Sequence, residues 1–245
     1  MSLPLASGHI PSLAPGDRPV NWAVTGRFGG RSSGPYAELN LAEHVGDDVD
    51  AVLHNRALVA RWAGASQAAF VRAVHGAGVA WVGHGDVVPE ADALLTTEVG
   101  LPLVALGADC ALIGVAAPGV VGVVHCGWRG LVAGVIPAAI GALRAYSDGP
   151  VLAIVGPSIC ARCYPVGEEC ATEVQRACPE AVPDPTHIDL HAGVCAQLAR
   201  ENVGIEDRSS CTFESTVLFS HRREVPTGRH GLMMWRADDV AMMAP

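Results

Sequence analysis

The chain has 245 residues, of which 50% are hydrophobic and 17% are charged. This length suits one large domain or two small ones, and the composition is that of a folded protein, which excludes a disordered chain. The formal net charge of -9 disfavours nucleic-acid and membrane-surface roles, because both depend on clustered cationic side chains.

The 16 basic residues are all arginines, so the chemistry of lysine Schiff bases and of lysine-bearing phosphate loops is excluded. Residues 1–19 lack the basic region and the apolar run of a signal peptide, so we expect a cytoplasmic protein. The eight cysteines should then stay reduced, and metal binding or burial explains them better than disulfide bonds do.

The N-terminal third begins with a Pro-, Gly- and Ser-rich segment, which predicts a loose arm over residues 1–19 before a single domain over residues 20–245. Alternation predicts a strand over Asn21–Phe28, and composition predicts a loop over residues 29–36. Helical spacing predicts a helix over Asp48–Ala63, with Asp47 or Asp48 as the N-cap.

Short apolar runs divided by turn residues follow and predict buried strands. They are Ala69–Val74, Gly78–Val82, Ala93–Thr96, Leu101–Leu106, Ala111–Ala116, Val120–Val124 and Val151–Val155, with closing strands at Val217–Ser220 and Gly231–Trp235. Helices are predicted over Leu131–Tyr146, where Pro137 should cause a kink or a late start, and over Gly167–Cys178 and Asp189–Glu201. This irregular alternation predicts a mixed α+β domain.

Three predicted strands each end in a residue that can bind a metal ion, namely His75, Cys110 and His125. Two imidazoles and one thiolate leave zinc one open tetrahedral position, which is the catalytic pattern. Each residue alone is equally typical of a satisfied polar side chain or an inert core thiol. The intervals of 35 and 15 residues match no compact zinc template, so the spacing leaves both interpretations open.

Motifs in a fixed order over some 200 residues resemble those of a known family, and this resemblance favours the interpretation as metal ligands. They are Thr25–Gly30, Gly34–Tyr36, Leu39–Leu41, His44–Asp48, Asn55-Arg56, Val74–Gly76, Ala91–Thr96, Ala108–Cys110, His125–Gly130, Gly156–Ile159, Tyr164, Val166-Gly167, Ser220–Arg223 and Thr227–Arg229. In this order they resemble the multicopper polyphenol oxidoreductase (laccase-like) family, whose members are also described as YfiH-like or purine nucleoside phosphorylase-like proteins.

The resemblance implies a single domain in which mixed β-sheets pack as a sandwich with helices on the outer faces. It also implies one zinc ion held by His75, Cys110 and His125. The implied activities are phosphorolysis of adenosine, inosine, guanosine and methylthioadenosine, and hydrolytic deamination of adenosine. The expected partners are purine nucleosides and phosphate, and the expected assembly is a monomer or a small homo-oligomer.

Candidate substrate contacts come from the chemistry of an anionic co-substrate. Arg129 precedes a predicted helix, so its guanidinium and the helix dipole could bind phosphate together, which makes it a candidate catalytic residue as well. Arg27 lies in a Gly-rich loop, and Asn40 is a candidate hydrogen-bonder for ribose or base. The alternative for Arg27 and Arg129 is a surface ion pair or a loop contact.

Two acidic residues beside the candidate ligands have two possible roles each. Asp109 is a candidate acid or base, but because neighbouring side chains in an extended segment point to opposite faces, a supporting role is favoured. Asp92 either holds a turn or orients a zinc-binding histidine.

Rival interpretations use the same residues. A His2Cys set also suits copper, although a blue-copper centre needs a weak axial ligand such as Met233, Met234, Met242 or Met243, and the chain has no His-x-His pair. Cys110 could instead be the nucleophile of a hydrolase, or the chain could be a cell-wall editing factor. Cys160 and Cys163 form a C-x-x-C pair, for which free thiols are favoured over a second zinc shared with Cys170 and Cys178.

Overall fold

A computed structural model describes residues 4–237. The strands are β1 (Ala6–Ile10), β2 (Val20–Val24), β3 (Ala69–Phe70), β4 (Val79–Trp81), β5 (Ala93–Thr96), β6 (Leu103–Gly107), β7 (Ala111–Ala117), β8 (Val120–Cys126), β9 (Leu152–Val155), β10 (Gly204–Asp207) and β11 (His230–Arg236). The α-helices are α1 (Val49–Trp62), α2 (Trp128–Ala133), α3 (Val135–Arg144), α4 (Glu168–Ala177) and α5 (Leu190–Arg200).

The strands form two mixed sheets. The first has the order β1-β2-β11-β6-β3, in which β3 runs parallel to β6 and the other pairs are antiparallel. The second has the order β10-β9-β7-β8-β5-β4, with parallel pairs at its two edges. All seven residues of both β7 and β8 are buried, which explains their continuous apolar sequences: each face of these strands is covered by another layer.

The layers follow from three apolar clusters. Leu94, Leu112 and Leu232 belong to the cluster between the sheets, which contains side chains of both. Ile113 of β7 lies in a second cluster with residues of α2, α3, α4 and α5, and Val59 of α1 lies in a third with residues of the first sheet. The order α1, first sheet, second sheet, α2–α5 confirms the predicted α+β sandwich with outer helices.

Helix ends agree with the sequence where a capping side chain sets them. The Asp48 carboxylate accepts a bond from the Ala51 N–H at 2.8 Å at the start of α1, as one of the two predicted caps. The predicted helix Leu131–Tyr146 is instead two helices, since Gly134 between α2 and α3 has a φ of 79°. Pro137 lies in the first turn of α3, where its missing N–H costs little.

The structure corrects the predicted loose arm, because β1 lies within it and pairs antiparallel with β2. The strand was missed because backbone pairing holds it and its side chains are mostly not buried. Gly8 lies over Trp22, where a Cβ would be 2.8 Å from the ring. The edge strand β10 was missed for the same reason, since its sequence Gly-Ile-Glu-Asp has no buried residue.

The predicted strand Val217–Ser220 is wrong, because the chain forms turns there although Leu218 and Phe219 are fully buried. Its backbone is held by a side chain: Arg223 donates to the carbonyls of Leu218 and Ser215 at 2.6 Å each. The buried residues of this segment therefore belong to a loop of fixed conformation and not to a sheet.

Close approach of the two sheets depends on Gly114 in the middle of β7. A Cβ atom there would lie 2.1 Å from the Met234 sulfur of the facing sheet, so the buried Met234 side chain would have to move. Within the described range 4–237, no helix is both long and apolar enough to cross a bilayer.

His230 is a fully buried histidine at the start of β11, on the face that packs against the second sheet. Within the part of the chain that the structure describes, neither of its ring nitrogens has a hydrogen-bond partner. Burial, together with the charges of Arg229 and Arg223, lowers the pKa of His230 from 6.5 to about 3. The folded protein therefore holds this imidazole neutral in conditions where the unfolded chain protonates it.

We expect His230 to reduce stability as the pH falls, because its pKa in the unfolded state is higher than in the folded state. Its contribution is small above the unfolded pKa of 6.5. Between about pH 7.5 and about pH 5.5, it should cost about 1.4 kcal/mol of the free energy of unfolding. Urea unfolding of the wild type and of His230→Leu at both pH values measures this loss, which the variant should lack.

The matched control is His54→Gln, because His54 is exposed on α1. It should lose as much stability on acidification as the wild type does. An unchanged acid loss in His230→Leu would assign the effect to other groups.

Candidate active site

Three side chains from separate parts of the chain converge: His75 lies in a bend between β3 and β4, Cys110 directly precedes β7, and His125 lies near the end of β8. One ligand atom each of His75, Cys110 and His125 lies within 4.8 Å of the others. The two imidazole rings are nearly perpendicular, with centroids 4.8 Å apart. His125 is buried whereas His75 is exposed, so the cluster has one covered side and one open side. Such a set can hold a metal ion and leave a coordination position for another ligand.

The buried carboxylate of Asp92 holds both histidines. It accepts backbone N–H bonds from His75 at 2.9 Å and Gly76 at 2.7 Å, and a weaker one from Val74 at 3.3 Å. Its Oδ1 also lies 3.0 Å from Nδ1 of His125. This contact leaves Nε2 of His125 as its ligand atom. Asp92 thus performs both roles that the sequence suggested, holding a turn and orienting a histidine.

Local backbone geometry at the cluster is unusual. His75 has a φ of 60°, in the left-handed region that non-glycine residues rarely adopt. The N–H bonds to Asp92 offset the cost of that conformation. Position 127 requires glycine, because a Cβ atom there would lie 3.0 Å from the Cys110 sulfur and 3.3 Å from the His75 ring. The glycine therefore gives the three ligand side chains the space to meet.

The charges of the cluster favour a thiolate beside an imidazolium. Burial is the largest influence on Cys110 and opposes its ionisation, but the charges and hydrogen bonds of His125 and His75 together outweigh it and lower the pKa of the thiol from 9.0 to about 6. Burial likewise opposes protonation of His125, but Cys110 and Asp92 raise its pKa to about 9. Hydrogen bonds from His125 and the backbone lower the pKa of Asp92 despite its burial. Cys110 is consequently in the ionic form that metals bind.

The cluster opens into a cavity of about 310 Å³, a size suited to a small molecule. Its apolar side is formed by Val71, Ala73, Leu106 and Ala108. Its polar side carries His44, Tyr164, His221, Arg222 and Arg229. A cavity that combines apolar side chains with two guanidinium groups suits a ligand with a flat ring and an anionic group.

Asp109 is a buried structural anchor within this cavity wall. It accepts hydroxyl bonds from Thr212 at 2.6 Å and Ser220 at 2.7 Å, and the backbone N–H of Arg222 at 2.7 Å. Its own φ is 106°. Asp109 directly precedes Cys110, and its carboxylate thus fixes the loop that carries Arg222. The supporting role favoured from the sequence agrees with these contacts.

The cationic wall is made by two arginines of the C-terminal loop. Arg222 stacks 4.7 Å from the Tyr164 ring centroid and donates to the Pro165 carbonyl at 2.8 Å. Arg229 donates from Nη1 to the carbonyls of Thr227 and Gly228. Each guanidinium has five N–H donors, so donors remain for a bound anion.

The predicted substrate contacts Arg27, Asn40 and Arg129 are not among the residues that line this cavity. Arg27 pairs with Glu224 at 2.7 Å, and the exposed Arg129 stacks 4.5 Å from the Trp128 ring centroid. Asn40 is fully buried, where it accepts the Arg229 N–H at 2.9 Å and donates to Asp47 at 2.9 Å. The three assignments stay predictions, and the observed bond adds that Asn40 positions Arg229.

Sequence reasoning noted the segments of Arg222 and Arg229 but assigned them no role. Their signal was present in Ser220–Arg223 and Thr227–Arg229, polar motifs near the last strand. Their distance along the chain from the ligands hid their place in the cavity, because only the fold of the loop brings them there.

The architecture and the His-Cys-His cavity define the class of protein first: an α/β/β/α sandwich with a candidate metal centre beside the point where β8 ends and β7 begins. The family model described as multi-copper polyphenol oxidoreductase laccase matches residues 21–237, and the chain belongs to this family. This agrees with the resemblance found in the motifs.

Relatives and solved structures support the assignment. A Streptomyces coelicolor protein named purine nucleoside phosphorylase is 43% identical over 232 residues, covering 88% of this chain and 95% of the relative. A Streptomyces griseus protein of the same name is 41% identical, covering 91% and 96%. The structure of YlmD from Geobacillus stearothermophilus is similar with a TM-score of 0.82 at 30% identity, covering 89% of this chain and 92% of that one.

We expect Asp92→Asn to weaken metal binding roughly 10- to 100-fold, because it removes the charged acceptor that orients His125 and His75. The measurement is competition for zinc between the purified protein and a chromophoric chelator. Asp148→Asn is the matched control, because Asp148 is exposed outside the cavity. Equal affinity in Asp92→Asn, with an unchanged circular dichroism spectrum, would contradict this role.

Proposed function

We propose that this protein is a zinc-dependent purine nucleoside enzyme. It cleaves adenosine, inosine, guanosine and methylthioadenosine with phosphate to the base and ribose-1-phosphate, and it deaminates adenosine by hydrolysis. The observation that carries the proposal is the open His75-Cys110-His125 cluster at the base of a cavity with two arginines. The names of the Streptomyces relatives support a phosphorylase.

The donor set fits zinc. Two imidazoles and a thiolate match a catalytic zinc site, and the Asp92 bond to His125 is the support that such sites commonly have. Copper fits less well, because Met233 and Met234 lie in the apolar clusters on the two faces of β11, away from the cavity. Met242 and Met243 lie outside the described residues.

A multicopper centre also needs several further histidines. Among residues 4–237, the only other group with suitable ligands is formed by cysteines and one glutamate. Zinc is therefore the better-supported metal, and copper remains the alternative.

Zinc bound at this site would supply Lewis acidity and lower the pKa of a water molecule, the nucleophile that deamination needs. The protein's own groups would do the rest. Arg222 and Arg229 would bind phosphate through their remaining N–H donors and orient it toward the ribose. The apolar side of the cavity and the Tyr164 ring would hold the flat purine.

His44 and His221 are the candidates for proton transfer to the leaving base, since both line the cavity. Burial and the charges of Arg229 and Arg56 lower the pKa of His44. We further expect a cytoplasmic enzyme, acting as a monomer or a small homo-oligomer.

A second candidate function has one observation in its favour. Cys110, His125 and Asp92 also have the arrangement of a nucleophile, a base and an orienting acid, with the thiol pKa lowered to about 6. A cysteine hydrolase, however, gives no role to His75, whose ligand atom lies within the same 4.8 Å group. The metal site uses all three residues.

The deciding experiment incubates purified protein with adenosine or inosine, with and without phosphate, and separates the products by chromatography. We expect free base and ribose-1-phosphate only with phosphate, and inosine from adenosine in both cases. Chelation should abolish both activities and added zinc should restore them, because the metal would supply the activated water for deamination and Lewis acidity in the cavity that both reactions share.

Activity that survives chelation and is lost with iodoacetamide would instead support the cysteine hydrolase. Copper at several atoms per chain after purification without added copper would support the laccase. An enzyme that leaves every nucleoside unchanged would refute the proposal.

Arg222→Gln and Arg229→Gln should each lower kcat/KM for phosphate roughly 10- to 100-fold, the value of one charge-assisted hydrogen bond. Deamination of adenosine should change little, because it uses no phosphate. Initial rates at varied phosphate measure the first effect, and inosine formation measures the second. The control Arg129→Gln should keep wild-type kinetics, and an equal loss in that variant would restore Arg129 as the phosphate contact.

A further inference from the structure

A second cluster of ligating side chains lies outside the cavity. Cys160, Cys163, Cys211 and Glu214 each offer one atom, and the four atoms lie within 4.8 Å of one another. The three thiols are half-buried and Glu214 is exposed. The partners for the C-x-x-C pair are thus Cys211 and Glu214, not the Cys170 and Cys178 considered from the sequence. Cys211 was overlooked because it stands 48 residues after Cys163.

The backbone fixes the two halves of this cluster independently of any ligand. Ala161–Cys163 forms a 3-10 turn, in which the Cys163 N–H donates to the Cys160 carbonyl at 3.0 Å. Ser158 forms a parallel bridge with Cys211, which includes the bond from the Thr212 N–H to the Ser158 carbonyl at 3.1 Å. The Cys160 N–H also donates to the Cys211 sulfur at 3.4 Å. The side chains therefore meet because two backbone segments are joined here.

The spacing of the ligand atoms matches a tetrahedral metal. The Glu214 Oε1 atom lies 3.6 Å from the Cys163 sulfur and 4.0 Å from the Cys160 sulfur. With a Zn–S bond of about 2.3 Å and a Zn–O bond of about 2.1 Å, tetrahedral geometry separates sulfur from oxygen by about 3.6 Å. The observed sulfur–oxygen distances are close to this value, so a small movement of the side chains would allow all four atoms to coordinate one ion.

We propose that Cys160, Cys163, Cys211 and Glu214 bind a second zinc ion in a closed, four-ligand structural site. Four protein ligands leave no open position, which distinguishes this site from the three-ligand cluster in the cavity. Thiolates with one carboxylate select zinc over magnesium or calcium, which prefer oxygen ligands alone. The proposal does not rest on the proposed nucleoside chemistry.

Two other uses of the cluster account for less of it. A disulfide bond would join two of the three thiols, leave the third unpaired, and give Glu214 no part. An ion pair of Glu214 with Arg162 exists at 3.0 Å, but both side chains are largely exposed and the pair ignores the cysteines. A carboxylate has several lone-pair positions, so Glu214 can keep Arg162 while it binds the metal.

The position of the site gives it a structural consequence. Cys163 directly precedes Tyr164 of the cavity wall, and Cys211 directly precedes Thr212, whose hydroxyl bonds to Asp109. A metal ion here would join the two segments that carry these residues. It would stabilise the cavity wall from behind, without contacting a substrate.

Zinc content after purification tests the proposal. We expect about two zinc ions per wild-type chain, about one in Cys163→Ser and in Cys110→Ser, and close to none in the double variant. Cys170→Ser, the matched control outside both sites, should keep about two. Cobalt in Cys110→Ser should give the intense charge-transfer absorption of several thiolate ligands, and Cys163→Ser should abolish it in that background.

Each outcome is decisive. Cys110→Ser without bound metal, or Cys163→Ser with the wild-type content, would overturn the second site. So would a disulfide among these cysteines in protein purified without oxygen, detected as a mass loss of two hydrogens. Glu214→Gln guards against misfolding, because the residue is exposed, and it should weaken zinc retention with an unchanged circular dichroism spectrum. If the cavity proposal fails instead, wild type and Cys110→Ser should hold equal metal and Cys163→Ser none.

Discussion

The candidate active site depends on one buried carboxylate. Asp92 is fully inaccessible to solvent, yet it must stay charged, because it accepts three backbone N–H bonds and faces a histidine ring. A buried charge is costly unless it is paired and hydrogen-bonded, and here the pairing groups are the candidate metal ligands themselves. The desolvated carboxylate therefore ties the left-handed turn at His75 to the ring of His125, and neither ligand is placed independently of the other.

Asp109 repeats this arrangement on the other side of Cys110. It too is buried, has three donors and lies in a left-handed conformation. Its donors come from the loop that carries Arg222, so it joins the candidate metal ligand to the cationic wall. Asp92 thus fixes the geometry of the candidate metal ligands, and Asp109 fixes the cationic wall that faces them.

The sequence predicted the parts of the fold in which side-chain burial and backbone structure agree. The buried strands β5, β7 and β8 were predicted closely, because apolar residues cover both faces. The edge strand β1 was missed because backbone pairing decides its structure, and Val217–Ser220 was misassigned because a buried loop has the same composition as a strand. A local hydrophobic pattern in the sequence indicates which residues are buried, but it indicates their backbone hydrogen-bond partners only indirectly.

The site divides in the same way. The three candidate ligands were identified because each follows an apolar strand and belongs to a motif with recognisable neighbours. Phosphate contacts were predicted at Arg129, because it precedes a predicted helix, and at Arg27, because it lies in a Gly-rich loop. Arg222 and Arg229 reach the cavity through a loop anchored by distant groups. Cys211 was missed for the same reason. Long-range loop contacts of this kind have no periodic signal in a single sequence.

The bond from Arg229 to Asn40 joins positions 189 residues apart, and Asn55 of α1 in turn holds the Asn40 carbonyl. The cationic wall is thus built on a segment near the beginning of the chain. Contacts at such separation require the closure of a long loop, which costs the chain conformational entropy until most of the domain has formed. The cavity is consequently among the last features that a folding or nascent chain can assemble, and a chain still lacking its C-terminal loop would lack both the cationic wall and the donors that hold Asp109 beside Cys110.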